Sequence, residues 1–126
     1  VLGAQPDIGV IDLLVKWAPN AYCHYHRHLA ATTTLVLGGE QNLYETTNTG
    51  ETIHKVRKAG DYALSPGGDL HMEQAGPDGA LIFFGFVSAD GRLFETLDKD
   101  HNTLATATVQ EWAAGNIDGG RRTSIG

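Results

Sequence analysis

Hydrophobic and polar residues alternate with a period of two in the segments of the chain that are of strand length. In residues 11–17 one face carries apolar side chains and the other carries Asp12 and Lys16; the apolar set is Ile11, Leu13, Val15 and Trp17. Residues 81–87 alternate in the same way, with Leu81, Phe83, Gly85 and Val87 opposite Ile82, Phe84 and Phe86. Because successive side chains of a β-strand point to opposite faces, both segments are predicted to be strands.

Turn-forming residues separate these segments. The chain has 16 Gly, and turn signals recur at residues 19–20, 38–39, 48–50, 60–61, 66–68, 76–79, 90–91 and 98–100. Short strands between regularly spaced turns are typical of an all-β sandwich or barrel. The pattern therefore predicts an all-β fold.

One helix is predicted, near the C-terminus. Thr108 is a suitable N-cap, Glu111 follows it by three residues, and Gly115 is placed to end the helix. Residues 119–126 are expected to be a disordered tail, and residues 1–9 an N-terminal arm.

Length and composition favour one domain, here placed at residues 10–118. The chain has 126 residues, 41% of them hydrophobic, with a net charge of -6, which is enough apolar material for a core. Only nine Lys and Arg are present, so nucleic acid and anionic membranes are not expected partners. No apolar run reaches the length of a membrane span. The single Cys23 gives no internal disulfide, so we expect a soluble cytoplasmic protein, although a chain that starts at Val1 is compatible with a piece of a longer one.

Candidate chemistry is concentrated in the histidines, three of which occur in residues 22–28. In an extended strand Tyr22, His24, His26 and His28 share one face, and Cys23 points away from it. Convergent imidazoles are commonly satisfied by a metal ion. This segment is therefore a candidate metal site.

A second segment, residues 60–71, has the form G-x5-P-x-G-x2-H. Gly60 and Gly68 permit tight turns, Pro66 presets a turn dihedral, and His71 would open the following strand. Four specified positions at fixed spacing form a motif of moderate to high specificity.

Together the two segments resemble the motifs of the cupin superfamily. In the first motif the spacing back from Gly39 assigns the H-x-H pair to His26 and His28, with Asn20 at the initial Gly position; a rival register would use His24 and His26. Residues 40–59 fit an intermotif hairpin. The resemblance implies a single-domain jelly-roll β-barrel with one short C-terminal helix.

The chain departs from the cupin motifs at three positions. Asn20 replaces a Gly, Thr32 replaces the Glu ligand, and Ala75 replaces an Asn. The resemblance thus implies a three-His metal site of His26, His28 and His71, unless His24 is a fourth ligand. The overall layout is similar to small three-His iron cupins, namely the acetylacetone-cleaving and 2,4'-dihydroxyacetophenone dioxygenases.

Three neutral imidazoles would leave a divalent ion its full charge and several open positions, which suits iron(II) and an anionic chelating substrate. The leading hypothesis is accordingly an iron(II) dioxygenase acting on a small diketone or hydroxyketone, with Glu73 and Tyr22 as candidate catalytic residues. Zinc is the alternative ion, either in a non-catalytic ligand or metal sensor or in an isomerase or lyase that uses Glu73 as its base. A homodimer is expected, formed through the apolar strand at residues 10–17.

Overall fold

The computed structural model describes residues 1–117. It contains nine strands, one short helix and a single 3-10 turn at Pro6–Ile8. The strands are β1 (Gly3–Gln5), β2 (Val10–Trp17), β3 (Tyr22–His28), β4 (Ala31–Thr46), β5 (Thr52–Lys58), β6 (Tyr62–Ser65), β7 (Leu70–Val87), β8 (Arg92–Leu97) and β9 (Thr103–Thr108), followed by the helix α1 (Val109–Ala113).

The strands form two antiparallel layers that share β4 and β7. In the first layer the order is β6-β4-β7-β2-β1, with β4 and β7 contributing residues 31–39 and 80–87. In the second layer the order is β5-β4-β7-β3-β8-β9, with β4 and β7 contributing residues 40–46 and 70–75. The protein is thus an all-β jelly roll whose two longest strands run through both layers, which confirms the predicted fold class.

Two of the predicted turns are instead corners within these long strands. Residues 38–39 lie inside β4 and residues 76–79 inside β7, where the pairing register shifts. A Cβ at Gly39, which has φ of 70°, would lie 2.2 Å from the carbonyl oxygen of Gly79. One at Gly79, with φ of 83°, would lie 2.5 Å from that of Trp17. Glycine is required at both positions because the two corners pack directly on neighbouring backbone.

Other predicted elements are observed where the sequence placed them. The hairpin between the two motifs is β4 and β5, with Glu40 paired to Lys58 and Thr46 to Thr52. The α1 helix is capped by Thr108, whose side chain accepts a hydrogen bond from the Glu111 N–H. Residues 3–5 of the predicted arm form β1 against β2. The predicted tail at 119–126 and residue 118, the last of the predicted domain, lie outside the described residues.

The core lies between the two layers and is built from the alternating positions of β2, β4 and β7. Its fully buried members include Ile11, Val36, Ile82 and Leu93. Trp17, Phe84 and Phe86 extend it toward the second layer. No helix within residues 1–117 is long and apolar enough to cross a lipid bilayer.

Candidate metal centre

Three histidines and one glutamate meet in the interior of the barrel. His26 and His28 lie on β3, and His71 lies on β7 directly opposite His26. Their Nε2 atoms are 3.1, 3.9 and 3.0 Å, in that order, from Oε1 of Glu73. All four side chains are buried, and one nitrogen or oxygen from each lies within 4.8 Å of the others. Their donor atoms therefore converge on a single point.

Hydrogen bonds at Nδ1, the nitrogen that points away from the centre, fix the orientation of two of the imidazole rings. The Nδ1–H of His26 donates to the carbonyl oxygen of His24 at 3.0 Å. The Nδ1–H of His28 donates to Oγ1 of Thr32 at 2.8 Å, because the Thr32 hydroxyl itself donates to the carbonyl of Ala30. With Nδ1 engaged in this way, Nε2 is the nitrogen of each ring that faces the centre and is available to a metal ion.

The third ring, His71, lacks such a partner. Its Nδ1 is buried and has no hydrogen-bond partner among residues 1–117. A cavity of about 20 Å³, large enough for one water molecule, adjoins the ring and is lined also by Ser65, Asp69 and Arg57.

Glu73 is held from behind by a buried amide. Its Oε2 accepts a hydrogen bond from Nε2 of Gln41 at 3.0 Å, and Oε1 of Gln41 accepts one from Nη1 of Arg57 at 3.3 Å. Gln41 is only 2% exposed. The guanidinium of Arg57 therefore sets the orientation of the amide, and the amide leaves only Oε1 of Glu73 facing the histidines.

The site is arranged to keep Glu73 ionised and His28 neutral. Burial by itself would raise the pKa of Glu73, but the hydrogen bonds and charges of His26 and His71 outweigh it and hold the pKa well below its usual range. Burial, aided by the neighbouring His26 and His71, lowers the pKa of His28 well below its usual value. These are the protonation states in which a carboxylate and an imidazole bind metal ions.

A bulge in β3 changes which residues face this centre. Cys23 pairs with Glu73 and His26 pairs with His71, so three steps along β3 match two along β7. Alternation is therefore broken at residues 24–25. His24 lies outside the four-residue group, and its Nδ1 contacts the carbonyl oxygen of Leu97 at 2.9 Å. The rival motif register, His24 with His26, is not the one that the structure assembles.

The prediction that Cys23 points away from the histidine face is wrong for the same reason. Its pairing with Glu73 places it on the inner face, where it lines the cavity beside His26. Burial, with a smaller contribution from Glu73, raises the pKa of the thiol to about 12. Tyr22, the other candidate catalytic residue, pairs with Gln74 and so lies on the opposite face from Glu73.

The three departures from the cupin motifs each have a structural counterpart. Asn20 has φ of 60°, a conformation that Asn tolerates better than most residues, which fits a position where the motif has Gly. Thr32 contacts the back of His28 instead of supplying a carboxylate, which comes from Glu73 on β7. Ala75 pairs with Gln41, whose side chain brings an amide to this region. The three predicted histidines are thus brought together, and Glu73 joins them as a fourth residue that could hold a metal ion.

The sequence predicts Glu73 only as a candidate catalytic residue and base. The signal that could have identified it as a ligand is the H-x-E spacing, which puts two donors on one face of a strand. Both of its oxygens are engaged and its pKa is low, so it fits a ligand better than a general base.

A cavity of about 470 Å³ opens beside three of the four residues, His26, His28 and Glu73. Lys16, His24 and Thr96 also line it. Its other walls are mainly apolar and aromatic, and include Leu13, Trp17, Phe84, Phe86, Phe94 and Trp112. This volume accommodates a small organic molecule with one end at the histidines.

The donor set fits a divalent metal ion. Imidazole nitrogens and a carboxylate are ligands common to iron(II) and zinc, and the four donor atoms lie close enough together to bind one ion. His26, His28, His71 and Glu73 would hold the ion.

The two-layer barrel and the buried group of three histidines and one glutamate define the protein as a cupin. Residues 1–90 match the family model described as ChrR cupin-like domain. The chain therefore belongs to the ChrR cupin-like domain family. A search of curated proteins finds no match.

Solved structures with the same fold include several enzymes. Acetylacetone dioxygenase from Acinetobacter johnsonii superposes with a TM-score of 0.73 at 14% identity, covering 94% of this chain and 74% of its own. Oxalate decarboxylase from Bacillus subtilis gives a TM-score of 0.58 at 19% identity over 83% of this chain. An oxalate oxidase gives 0.55 at 25% identity, covering 64% of this chain and 42% of its own. This chain spans 25% of the length of the decarboxylase.

Proposed function

We propose that the protein is a mononuclear metal-dependent cupin enzyme, an iron(II) dioxygenase that cleaves a small chelating diketone or hydroxyketone. The observation that carries the proposal is the convergence of three Nε2 atoms and one carboxylate oxygen, with His26, His28 and Glu73 lining a cavity of about 470 Å³. A ligand set without a cavity would favour a structural ion, whereas here the ligands and a space for substrate adjoin.

The ion would supply a Lewis acid for the two oxygens of an enolate and a redox centre for dioxygen. The protein would orient the ligands and position the substrate. Thr32 and the carbonyl of His24 orient two imidazoles, and Gln41 holds the carboxylate. The aromatic walls exclude water and position the apolar part of the substrate.

Glu73 changes the charge expected for the centre. With the carboxylate bound, a divalent ion keeps one net positive charge, so the site suits a monoanionic chelator such as a single enolate. The substrate classes favoured are those that carry two oxygens on neighbouring or alternate carbons.

The test is elemental analysis of untagged protein purified without chelator, beside the His71→Ala variant, followed by oxygen uptake with a β-diketone and an α-hydroxyketone. We expect about one iron per chain, lost in the variant, and consumption of one dioxygen per substrate cleaved. Iron-loaded protein that consumes no oxygen with any chelating diketone or hydroxyketone would contradict the dioxygenase proposal.

A second candidate is a non-catalytic zinc-holding or sensing module. The observation that favours it is the presence of four protein donors, which is the number that a closed tetrahedral zinc site takes. Cobalt(II) substitution separates the two candidates. An intense visible spectrum of a four-coordinate ion, unaffected by diketones, supports the zinc module, and a weak spectrum that changes with diketone supports an open catalytic site.

We propose a cytoplasmic location, because the single cysteine is a free thiol and offers no internal disulfide.

A further inference from the structure

The outer nitrogen of His71 is in a different position from those of the other two candidate ligands. Nδ1 of His26 and of His28 donates to an oxygen of the protein, whereas Nδ1 of His71 has no hydrogen-bond partner among residues 1–117. His71 is only 6% exposed. A neutral imidazole that binds a metal ion through Nε2 carries its proton on Nδ1. Because buried N–H groups almost always have an acceptor, one is expected beside this ring.

The sequence places a carboxylate on the same side of the chain as His71. Side chains two residues apart share a face of a strand, and Asp69 precedes His71 by two residues as Glu73 follows it by two. The backbone of Asp69 is fixed at the entrance of β7, because its carbonyl oxygen accepts the His28 N–H at 3.1 Å. Nε2 of His71 faces Glu73, so Asp69 is the carboxylate available to Nδ1.

One oxygen of the Asp69 side chain is already engaged. Oδ2 accepts a hydrogen bond from the hydroxyl of Ser65, which fixes the orientation of the carboxylate. Oδ1 accepts no hydrogen bond from the described residues. The site therefore contains a buried donor, Nδ1 of His71, and an unused acceptor, Oδ1 of Asp69, that are not in direct contact.

A small cavity adjoins both groups. Its volume is about 20 Å³, and Thr34, Ser65 and Arg57 are among its other lining residues. A cavity holds a water molecule when it offers at least about 10–15 Å³ and two or more polar partners. This cavity meets both conditions, and it is too small for a larger ligand.

We propose that Asp69 is a positioning residue for His71 and that it acts through one water molecule held in this cavity. The water accepts the Nδ1–H of His71 and donates to Oδ1 of Asp69. The carboxylate thereby fixes the tautomer and the orientation of the ring and makes Nε2 a stronger ligand. The proposal rests on His71 as a metal ligand and not on the proposed dioxygenase activity.

The position of the water is tested by a high-resolution crystal structure of the zinc-loaded chain. We expect an ordered water about 3 Å from both Nδ1 of His71 and Oδ1 of Asp69. An empty cavity, or an Asp69 carboxylate bonded directly to Nδ1, would overturn the proposal.

Two variants test the effect on metal binding. Asp69→Asn removes the charge and keeps the size of the side chain, and Ala63→Val takes up the space of the water, because Ala63 lines the cavity. Each should raise the Kd for zinc about tenfold. The matched controls are Asp78→Asn, at an exposed position of β7, and Ala105→Val, at a half-buried position of β9. Neither control should change the Kd, and thermal unfolding by circular dichroism verifies that all four variants fold.

A spectroscopic measurement separates positioning from a structural role. In ¹⁵N-labelled zinc-loaded protein the Nδ1–H proton of His71 should show a cross-peak to water, and Ala63→Val should abolish it. A zinc Kd changed less than about twofold by Asp69→Asn or by Ala63→Val, or a cross-peak that persists in Ala63→Val, would contradict the proposal. These measurements use zinc, so their outcome is independent of whether the iron-loaded protein consumes oxygen.

Discussion

The ligand role of Glu73 leads to a prediction for the Glu73→Gln variant, which keeps the shape of the side chain and removes its charge. In the wild-type protein Oε1 lies 3.0 to 3.9 Å from the three Nε2 atoms. A divalent ion and a carboxylate about 4 Å apart attract each other by about 8 kcal/mol at an effective dielectric constant of about 20. This sets the order of magnitude of the loss.

Two effects reduce that value. The metal-free carboxylate is already stabilised by hydrogen bonds from His26 and His71, which the ion must replace, and the Gln oxygen remains a neutral ligand. We expect about 3–4 kcal/mol to remain, so that the Kd for zinc and for iron(II) rises roughly 100- to 1000-fold.

Competition against a chromophoric chelator measures this Kd, under anaerobic conditions for iron(II). Glu51→Gln is the matched control, because it removes the same charge from an exposed position directly before β5. The reasoning is refuted if Glu73→Gln weakens metal binding less than fivefold, or no more than Glu51→Gln does. In that case the histidines alone hold the ion.

Three further predictions follow from contacts of single residues. Gln41→Leu leaves a buried oxygen of Glu73 unsatisfied and should lower the free energy of unfolding by about 1–3 kcal/mol in urea titrations. An unchanged midpoint would contradict the role of the amide. Thr32→Val removes the acceptor for His28 and should weaken metal binding about 10- to 100-fold, with the fold intact by circular dichroism. Cys23 should react with iodoacetamide about a thousandfold more slowly than an ordinary thiol at pH 8 in metal-free protein, since its pKa of about 12 keeps it protonated and the rate rises with pH up to that value. Rapid alkylation at pH 8 would show that the thiol is not shielded from water.

Much of the fold could be predicted because local patterns and tertiary structure agree. The alternation at residues 11–17 gives β2, and the capping residues Thr108 and Glu111 give α1. The corners at 38–39 and 76–79 could not be told from turns. Glycine at positive φ occurs both in turns between strands and in corners within a strand. Only the pairing of β4 with β7 on both sides of these residues shows that each strand continues through its corner.

The candidate site could likewise be predicted only in part. The spacing of the two motifs identified His26, His28 and His71, because it reflects turn geometry. The motif spacing did not predict the bulge at residues 24–25. A bulge is an extra residue in one strand relative to its partner, and the partner strand β7 is remote in sequence. That single irregularity removes His24 from the metal group and turns Cys23 inward.

The two halves of β7 have separate tasks that one backbone connects. His71 and Glu73 precede the corner, and Phe84 and Phe86, which form part of the cavity wall, follow it. The corner of the main chain thus connects two candidate ligands to one wall of the cavity. Shortening Phe84 should enlarge the cavity. Phe86 also packs against His28, with ring centroids 5.8 Å apart, so a change there would disturb a candidate ligand as well.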